Sequence, residues 1–176
     1  MAGAANGVDP RRRPARPYDE RDGGGDTPPL LRGLSEAMRL AEYELGVKIR
    51  FDTEGRYSLD NVAPGSGTPF PEGHALASLN SRLTKGTVAV GRINYPPAAG
   101  FKEKLSGRLI YAKAVLSEDC PEWLLTYAAS SEVFPHDPTS DQWFNEAQFA
   151  AYTTLGRIMG KHAVDCAKAL KANGVI

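Results

Sequence analysis

The stretch FPHDPTSDQWFNEAQFAAYTTLG, residues 134–156, is the most specific part of the chain and decides its local fold. Two prolines near its start restrict the backbone, which predicts a rigid loop. Two capping pairs follow, Thr139 with Gln142 and Asn145 with Gln148. In each pair the first side chain can accept a hydrogen bond from a backbone N–H one turn on, and the amide of the second can reach back. We therefore predict a short helical turn, a bend and a second helix.

Four aromatic residues of this stretch, Trp143, Phe144, Phe149 and Tyr152, are expected to lie on the inner faces of these elements. Apolar residues continue at helical spacing beyond them. This pattern predicts a final helix from about residue 146 towards Leu170, with two glycines as its weak points.

The chain before this stretch shows both helical and strand patterns. Apolar residues at helical spacing over 30–45, followed by Gly46, predict a helix that ends in a left-handed glycine. Alternation over 47–51 predicts a strand with one buried face. The β-rich runs 87–95 and 108–116 predict a hairpin, or a pair with a wider connection, and a helix is expected after residue 119. Gly, Pro, Ser and Asn dominate residues 52–85, which predicts a long loop with one short helix near 75–83.

These patterns predict an α/β fold with a single domain over residues 30–176, built from a partial sheet and flanking helices. The first 29 residues are rich in Gly, Ala, Pro and charge, which predicts a disordered tail. Its cluster Arg11–Arg16 could touch a membrane surface or RNA, but neighbouring acidic residues offset the charge, so a solvated tail is expected. The buried faces of the domain are expected to include Leu34, Met38, Val47, Ile49, Val88, Ile110 and Leu116.

The overall composition narrows the classes of function. Lys plus Arg equal Asp plus Glu at 21 each, so the formal charge is zero. Because phosphate backbones need clustered positive charge, no nucleic-acid partner is expected. No run of about 18 apolar residues and no apolar region after the first charged residues occurs, so neither a transmembrane helix nor a signal peptide is expected. Cys120 and Cys166 form no CxxC motif, which predicts reduced thiols. We therefore expect a cytoplasmic protein that is at most peripheral to a membrane.

Few residues carry a recognisable pattern for catalysis or metal binding. Ser66 lies in PGSGT without the strand and helix of a nucleophile elbow, so a flexible turn is expected. The three histidines are too widely spaced to predict a metal site, and no cofactor is expected. His136 beside Asp137 is the best candidate for a general base, although a structural loop role is favoured. Lys113 interrupts an apolar strand, which predicts a structural ion pair or a cation that faces a ligand.

Four segments together resemble a known family. They are GRINYP (91–96), GRLIYAKAVL (107–116), DCPEWLLTYA (119–128) and the 134–156 stretch. Their order is similar to the C-terminal portion of large bacterial patatin-like proteins, which are lipid acylhydrolases. The resemblance implies a patatin-type sheet and a Ser–Asp dyad that belongs to an earlier part of the family, so no catalytic residue is assigned here. The residues that carry the resemblance or its structure are Phe134, Pro135, His136, Thr139, Asp141, Gln142, Trp143, Phe144, Gln148, Phe149, Tyr152 and Lys113.

Two functional hypotheses follow. The favoured one is a C-terminal segment of a patatin-like acylhydrolase that is not catalytic by itself and acts as a structural or partner-binding module. Strands separated from a parallel sheet leave unpaired edges, so the expected partner is a companion chain with the Ser–Asp half, or a second copy; a lipid is a further candidate. The alternative is a complete small serine hydrolase that uses His136 and Asp137. A lipid-surface module anchored by Arg11–Arg16 is a third hypothesis.

Overall fold

The computed structural model describes residues 31–97, 105–138 and 143–175. The predicted tail with its Arg11–Arg16 cluster, and the Thr139–Gln142 capping pair with Asp141, lie outside these residues. The described part is a mixed α/β structure with three helices and three strands. In chain order these are α1 (Arg32–Leu45), β1 (Lys48–Phe51), β2 (Val88–Asn94), β3 (Ser106–Ala112), α2 (Glu122–Ser130) and α3 (Glu146–Ala172).

The three strands form one antiparallel sheet in the order β1-β2-β3. The predicted hairpin is confirmed as β2 and β3, but the expectation of a parallel sheet is wrong. The connection over residues 95–105 is short, and only antiparallel neighbours can be joined without a long crossover. The strand predicted to reach Leu116 ends at Ala112, because its partner β2 begins at Val88 opposite that residue.

The sheet has two faces with different coverings. On one face, Val88 and Val90 pack with Cys166 of α3, and Ile110, Ala112 and Leu170 border this contact. On the other face, Ala89 packs with Val62 and Val115, and the rings of Phe51 and Tyr111 meet edge to face at 5.8 Å. Gly91 lies opposite Phe51, and a Cβ there would approach the Arg50 carbonyl oxygen to 2.9 Å, so this close pairing needs glycine.

The largest apolar cluster lies beside the sheet, between α2 and the first half of α3. Its centre consists of residues with almost no exposed surface, among them Leu79, Leu83, Leu124, Phe134 and Leu155. Leu79 and Leu83 come from the long loop between β1 and β2. The helix predicted near 75–83 is reduced to a 3₁₀ turn at Ala77–Leu79, and Thr84 beyond it forms a bridge to Ser117. The loop therefore supplies part of the core.

Helix boundaries follow the predicted capping residues. Gly46 ends α1 with φ 65°, and the Val47 N–H donates to the Ala41 carbonyl, as in a Schellman motif. At α3, the Asn145 side chain accepts from the Gln148 backbone N–H at 2.8 Å, which confirms the second predicted cap.

Burial along α1 and β1 is shallower than expected. No residue of α1 is fully buried, and Leu34, Met38, Val47, Ile49 and Ile110 are only half-buried, whereas Val88 and Leu116 are buried as predicted. Both cysteines are free and buried, and burial raises the pKa of the Cys120 and Cys166 thiols.

Candidate functional site

Phe134 anchors the start of the motif segment 134–156 in the core. Its ring is fully buried between Tyr127 and Tyr152, with edge-to-face contacts at 5.2 and 4.9 Å, and its bond to Pro135 is cis. Edge-to-face aromatic pairs add to the free energy of burial, so this trio fixes where the loop leaves α2.

Arg82 anchors the same loop through hydrogen bonds to backbone carbonyl groups. Its guanidinium donates to the carbonyl oxygens of Ala128 and Ser131, each at 3.0 Å, and to the Phe134 carbonyl oxygen. The last carbonyls of a helix have no partner within the helix, so an arginine that reaches them closes the end of α2. Burial lowers the pKa of Arg82 from its usual value, but a guanidinium remains charged at any physiological pH.

Asp137 connects the loop to α3. One carboxylate oxygen accepts from the Gln148 amide at 3.0 Å, and the other accepts from the Tyr152 hydroxyl at 2.5 Å. Burial, together with the hydrogen bond to this carboxylate, raises the pKa of Tyr152. Both oxygens of Asp137 thus bind side chains of α3, which is an arrangement that positions a helix.

The first turn of α3 and the residues before it expose aromatic side chains. Trp143 is 93% exposed and Phe149 is 65% exposed, so the expectation that they face inward is wrong. Phe144 is also exposed but stacks on Tyr152, with ring centroids 5.3 Å apart. The half-buried Tyr152 and the buried Gln148 already fill the inner face of the turn, which leaves the neighbouring aromatics outside. We call Trp143, Phe144 and Phe149 the aromatic patch.

The charged residues in the sequence around the aromatic patch are all acidic. Residues 132–156 contain Glu132, Asp137, Asp141 and Glu146 but no Lys or Arg. Glu146 lies in the first turn of α3, where the helix dipole favours an acidic side chain. The patch is therefore apolar in a stretch of acidic sequence.

The other predicted candidates lie in loops or at a strand end. His136 is half-buried, and its backbone N–H donates to the Val133 carbonyl oxygen at 2.7 Å. Ser66 donates to the Asn61 carbonyl oxygen and accepts from the Lys85 N–H, so it stabilises a turn. Lys113 lies just after β3, and its backbone N–H donates to the Thr87 carbonyl oxygen.

One cluster of reactive groups was not anticipated from the sequence. His162 on α3 lies 3.2 Å from the Asp119 carboxylate through Nε2 and 2.9 Å from the Thr87 hydroxyl through Nδ1. A carboxylate, an imidazole and a hydroxyl in this order are the groups of a nucleophilic triad. Thr87 is only 1% exposed, however, and the adjoining cavity holds about 70 Å³. The hydroxyl is thus buried beside a small cavity, and its contact with His162 links α3 to the residue before β2. No spacing pattern could have found the cluster, because its members are far apart in sequence.

The described residues show neither a metal-binding cluster nor a membrane-spanning helix. Among the described residues, no three His, Cys, Asp or Glu side chains converge as metal ligands would. No helix within the described ranges has the length and hydrophobicity needed to cross a membrane.

In comparisons with known proteins, no family model, no curated protein and no solved structure matches the chain.

Proposed function

We propose that this chain is a non-catalytic, partner-binding module of a patatin-like lipid acylhydrolase, and that its aromatic patch docks on the catalytic Ser–Asp unit. The observation that carries the proposal is the exposure of Trp143 and Phe149 within the segment on which the family resemblance depends. Trp and Phe are enriched at the centres of protein interfaces, where each can contribute a large part of the binding energy.

The surroundings of the patch favour a protein partner of a particular character. Phe149 lies in the capped first turn of α3 and Phe144 stacks on Tyr152, so part of the patch is positioned before a partner binds. The acidic sequence around it complements a partner whose apolar docking site has a basic rim. An anionic lipid surface would repel the same residues, which disfavours a membrane as the occupant of this patch.

The chemistry of the segment supports a role without catalysis. Asp137 directs both carboxylate oxygens to Gln148 and Tyr152, and the Thr87 hydroxyl beside His162 is buried. A fluorophosphonate therefore should not label the folded chain. A stoichiometric adduct in the intact mass, lost in His136→Ala, would instead establish the small serine hydrolase.

The docking test uses a purified patatin-type catalytic domain titrated with this chain in a calorimeter. Trp143→Ala should weaken binding at least tenfold, since truncating an interface hot spot costs about 2 kcal/mol or more. Trp123→Ala is the matched control, because Trp123 is a half-exposed tryptophan on α2 outside the patch. Equal losses in the two variants, or no binding by the unmodified chain, would contradict the proposal. Self-association through Trp143, detected by sedimentation of the chain alone, would replace the companion chain with a second copy.

A further inference from the structure

Helix α3 covers one end of one face of the sheet. The other end of that face is exposed and carries basic side chains. Arg50 on β1 lies directly opposite Arg92 on β2, and Arg92 lies directly opposite Arg108 on β3. Neighbouring strands are about 4.8 Å apart, so the three side chains form one row roughly 10 Å long across the sheet. We call these three residues the arginine row.

A second polar row lies beside the arginine row on the same face. Lys48, Asn94 and Ser106 are register partners two positions further along the three strands. Because side chains alternate between faces along a strand, both rows share the face of Val90 and Ile110, beyond the part packed on α3. The open half of this face therefore combines four cationic groups with an amide and a hydroxyl.

The arginine row is unfavourable for folding in the absence of an anion. Like charges directly opposite each other in a sheet destabilise it. Arg108 is partly compensated by Asp52, at 3.8 Å, but within the described residues no acidic side chain pairs with Arg50 or Arg92. Arg92 at the centre of the row and Arg50 at its end therefore carry positive charge that no acidic side chain of the described residues pairs with.

The row borders two half-open depressions in the surface. A cavity of about 580 Å³ is lined by Lys48, Arg50, Arg92 and Tyr95, with Pro96 beside them. A second groove, of about 620 Å³, contains Arg92 and Arg108 and is bordered by Gly174 and Val175 after α3. Arg92 lines both, which makes it the central residue of one trough.

We propose that this trough binds a small ligand with two or more linked phosphate groups. Guanidinium groups donate paired hydrogen bonds that match phosphate oxygens, and adjacent arginines can hold adjacent phosphates. The C-terminal end of α3, which is the negative end of its dipole, borders the trough at Gly174 and Val175, so the arginines alone must attract the anion. The row is too short for a single-stranded nucleic acid, whose sites cover at least about four nucleotides, and the chain has no net positive charge.

The test is calorimetric titration of the full chain with inorganic tripolyphosphate. The unmodified chain should bind one equivalent, and inorganic orthophosphate should bind at least tenfold more weakly. Arg92→Gln should reduce tripolyphosphate affinity at least tenfold. Arg157→Gln removes the same charge at an exposed position of α3 away from the trough, and should leave the affinity within about twofold. Circular dichroism verifies that both variants are folded.

Three outcomes would overturn the proposal. They are the absence of saturable binding, equal losses in Arg92→Gln and Arg157→Gln, and an affinity for a single-stranded oligonucleotide at least tenfold higher than for tripolyphosphate. The source of the phosphates is identified with vesicles that contain a phosphorylated inositol lipid. Binding that depends on Arg92 and is competed by tripolyphosphate indicates a lipid headgroup. Tripolyphosphate binding without vesicle binding indicates a soluble ligand.

Discussion

The two ends of α3 differ in charge, in exposed surface and in how they are held. At the first end, the aromatic patch lies in acidic sequence above a core formed by Phe134 and Tyr152. At the last end, Gly174 and Val175 border the trough of the arginine row. The helix has 27 residues, so its ends are about 40 Å apart. A net charge of zero therefore conceals an uneven distribution of acidic and basic residues along the chain.

The two ends of α3 should also differ in how their side chains affect the stability of the fold. The aromatic end is fixed by buried rings and by the hydrogen bonds of Asp137, and should lose stability when these are removed. The sheet end places like charges side by side and should gain stability when one is removed. The following substitutions test this difference, beginning with the largest expected effect.

Phe134→Ala should destabilise the chain most, by about 3–5 kcal/mol, because it leaves a cavity where a fully buried ring meets two tyrosines. Urea denaturation measures the change. Phe144→Ala, at the exposed neighbouring ring, is the control and should cost less than about 1 kcal/mol. A small loss for Phe134→Ala would mean that the motif loop does not depend on this core.

Tyr152→Phe should alter how stability depends on pH. The pKa of Tyr152 is raised in the folded state above its ordinary value of 10.0, so the folded chain retains a proton that the unfolded chain releases. This contribution to stability is fully present below about pH 10 and is lost as pH rises above it. Unfolding free energies between pH 9 and 11 should therefore decline less steeply in Tyr152→Phe. Tyr43→Phe, at a tyrosine that is 84% exposed, should retain the original slope, and identical slopes in the two variants would contradict the role of Tyr152.

Arg92→Thr should have the smallest effect on stability and the opposite sign. It removes the central charge of the arginine row and introduces a residue that favours strands, so a gain of about 0.5 kcal/mol is expected. Thermal unfolding at low ionic strength measures it. Arg92→Lys keeps the charge and should show no gain. A loss of stability in Arg92→Thr would mean that the arginine row supports the sheet.

Local signals explain why much of the fold was predictable. Gly46 and Asn145 each satisfy a helix end with their own backbone or side chain, and the hairpin follows from two β-rich runs with a short connection. Burial was less predictable, because it depends on which surfaces other elements cover. Trp143 and Phe149 have large apolar side chains of the kind expected in a core. Gln148 and Tyr152, however, occupy the inner face of that turn.

The arginine row, as a candidate site, could likewise not be predicted from the sequence. Arg50, Arg92 and Arg108 come from three separate strands, and their alignment depends on the register of both strand pairs. A shift of one residue in either pair would place an arginine on the opposite face. The net charge of the chain could not reveal the arginine row, because it carries no information about where the charged residues lie.

The most direct test of two separate surfaces is an amide ¹H–¹⁵N spectrum of the chain titrated with tripolyphosphate. The account predicts saturable shifts in residues 48–50, 91–95 and 106–108, with the amides of residues 143–152 unchanged. Shifts centred on residues 143–152, or no saturable shifts at the arginine row, would contradict it.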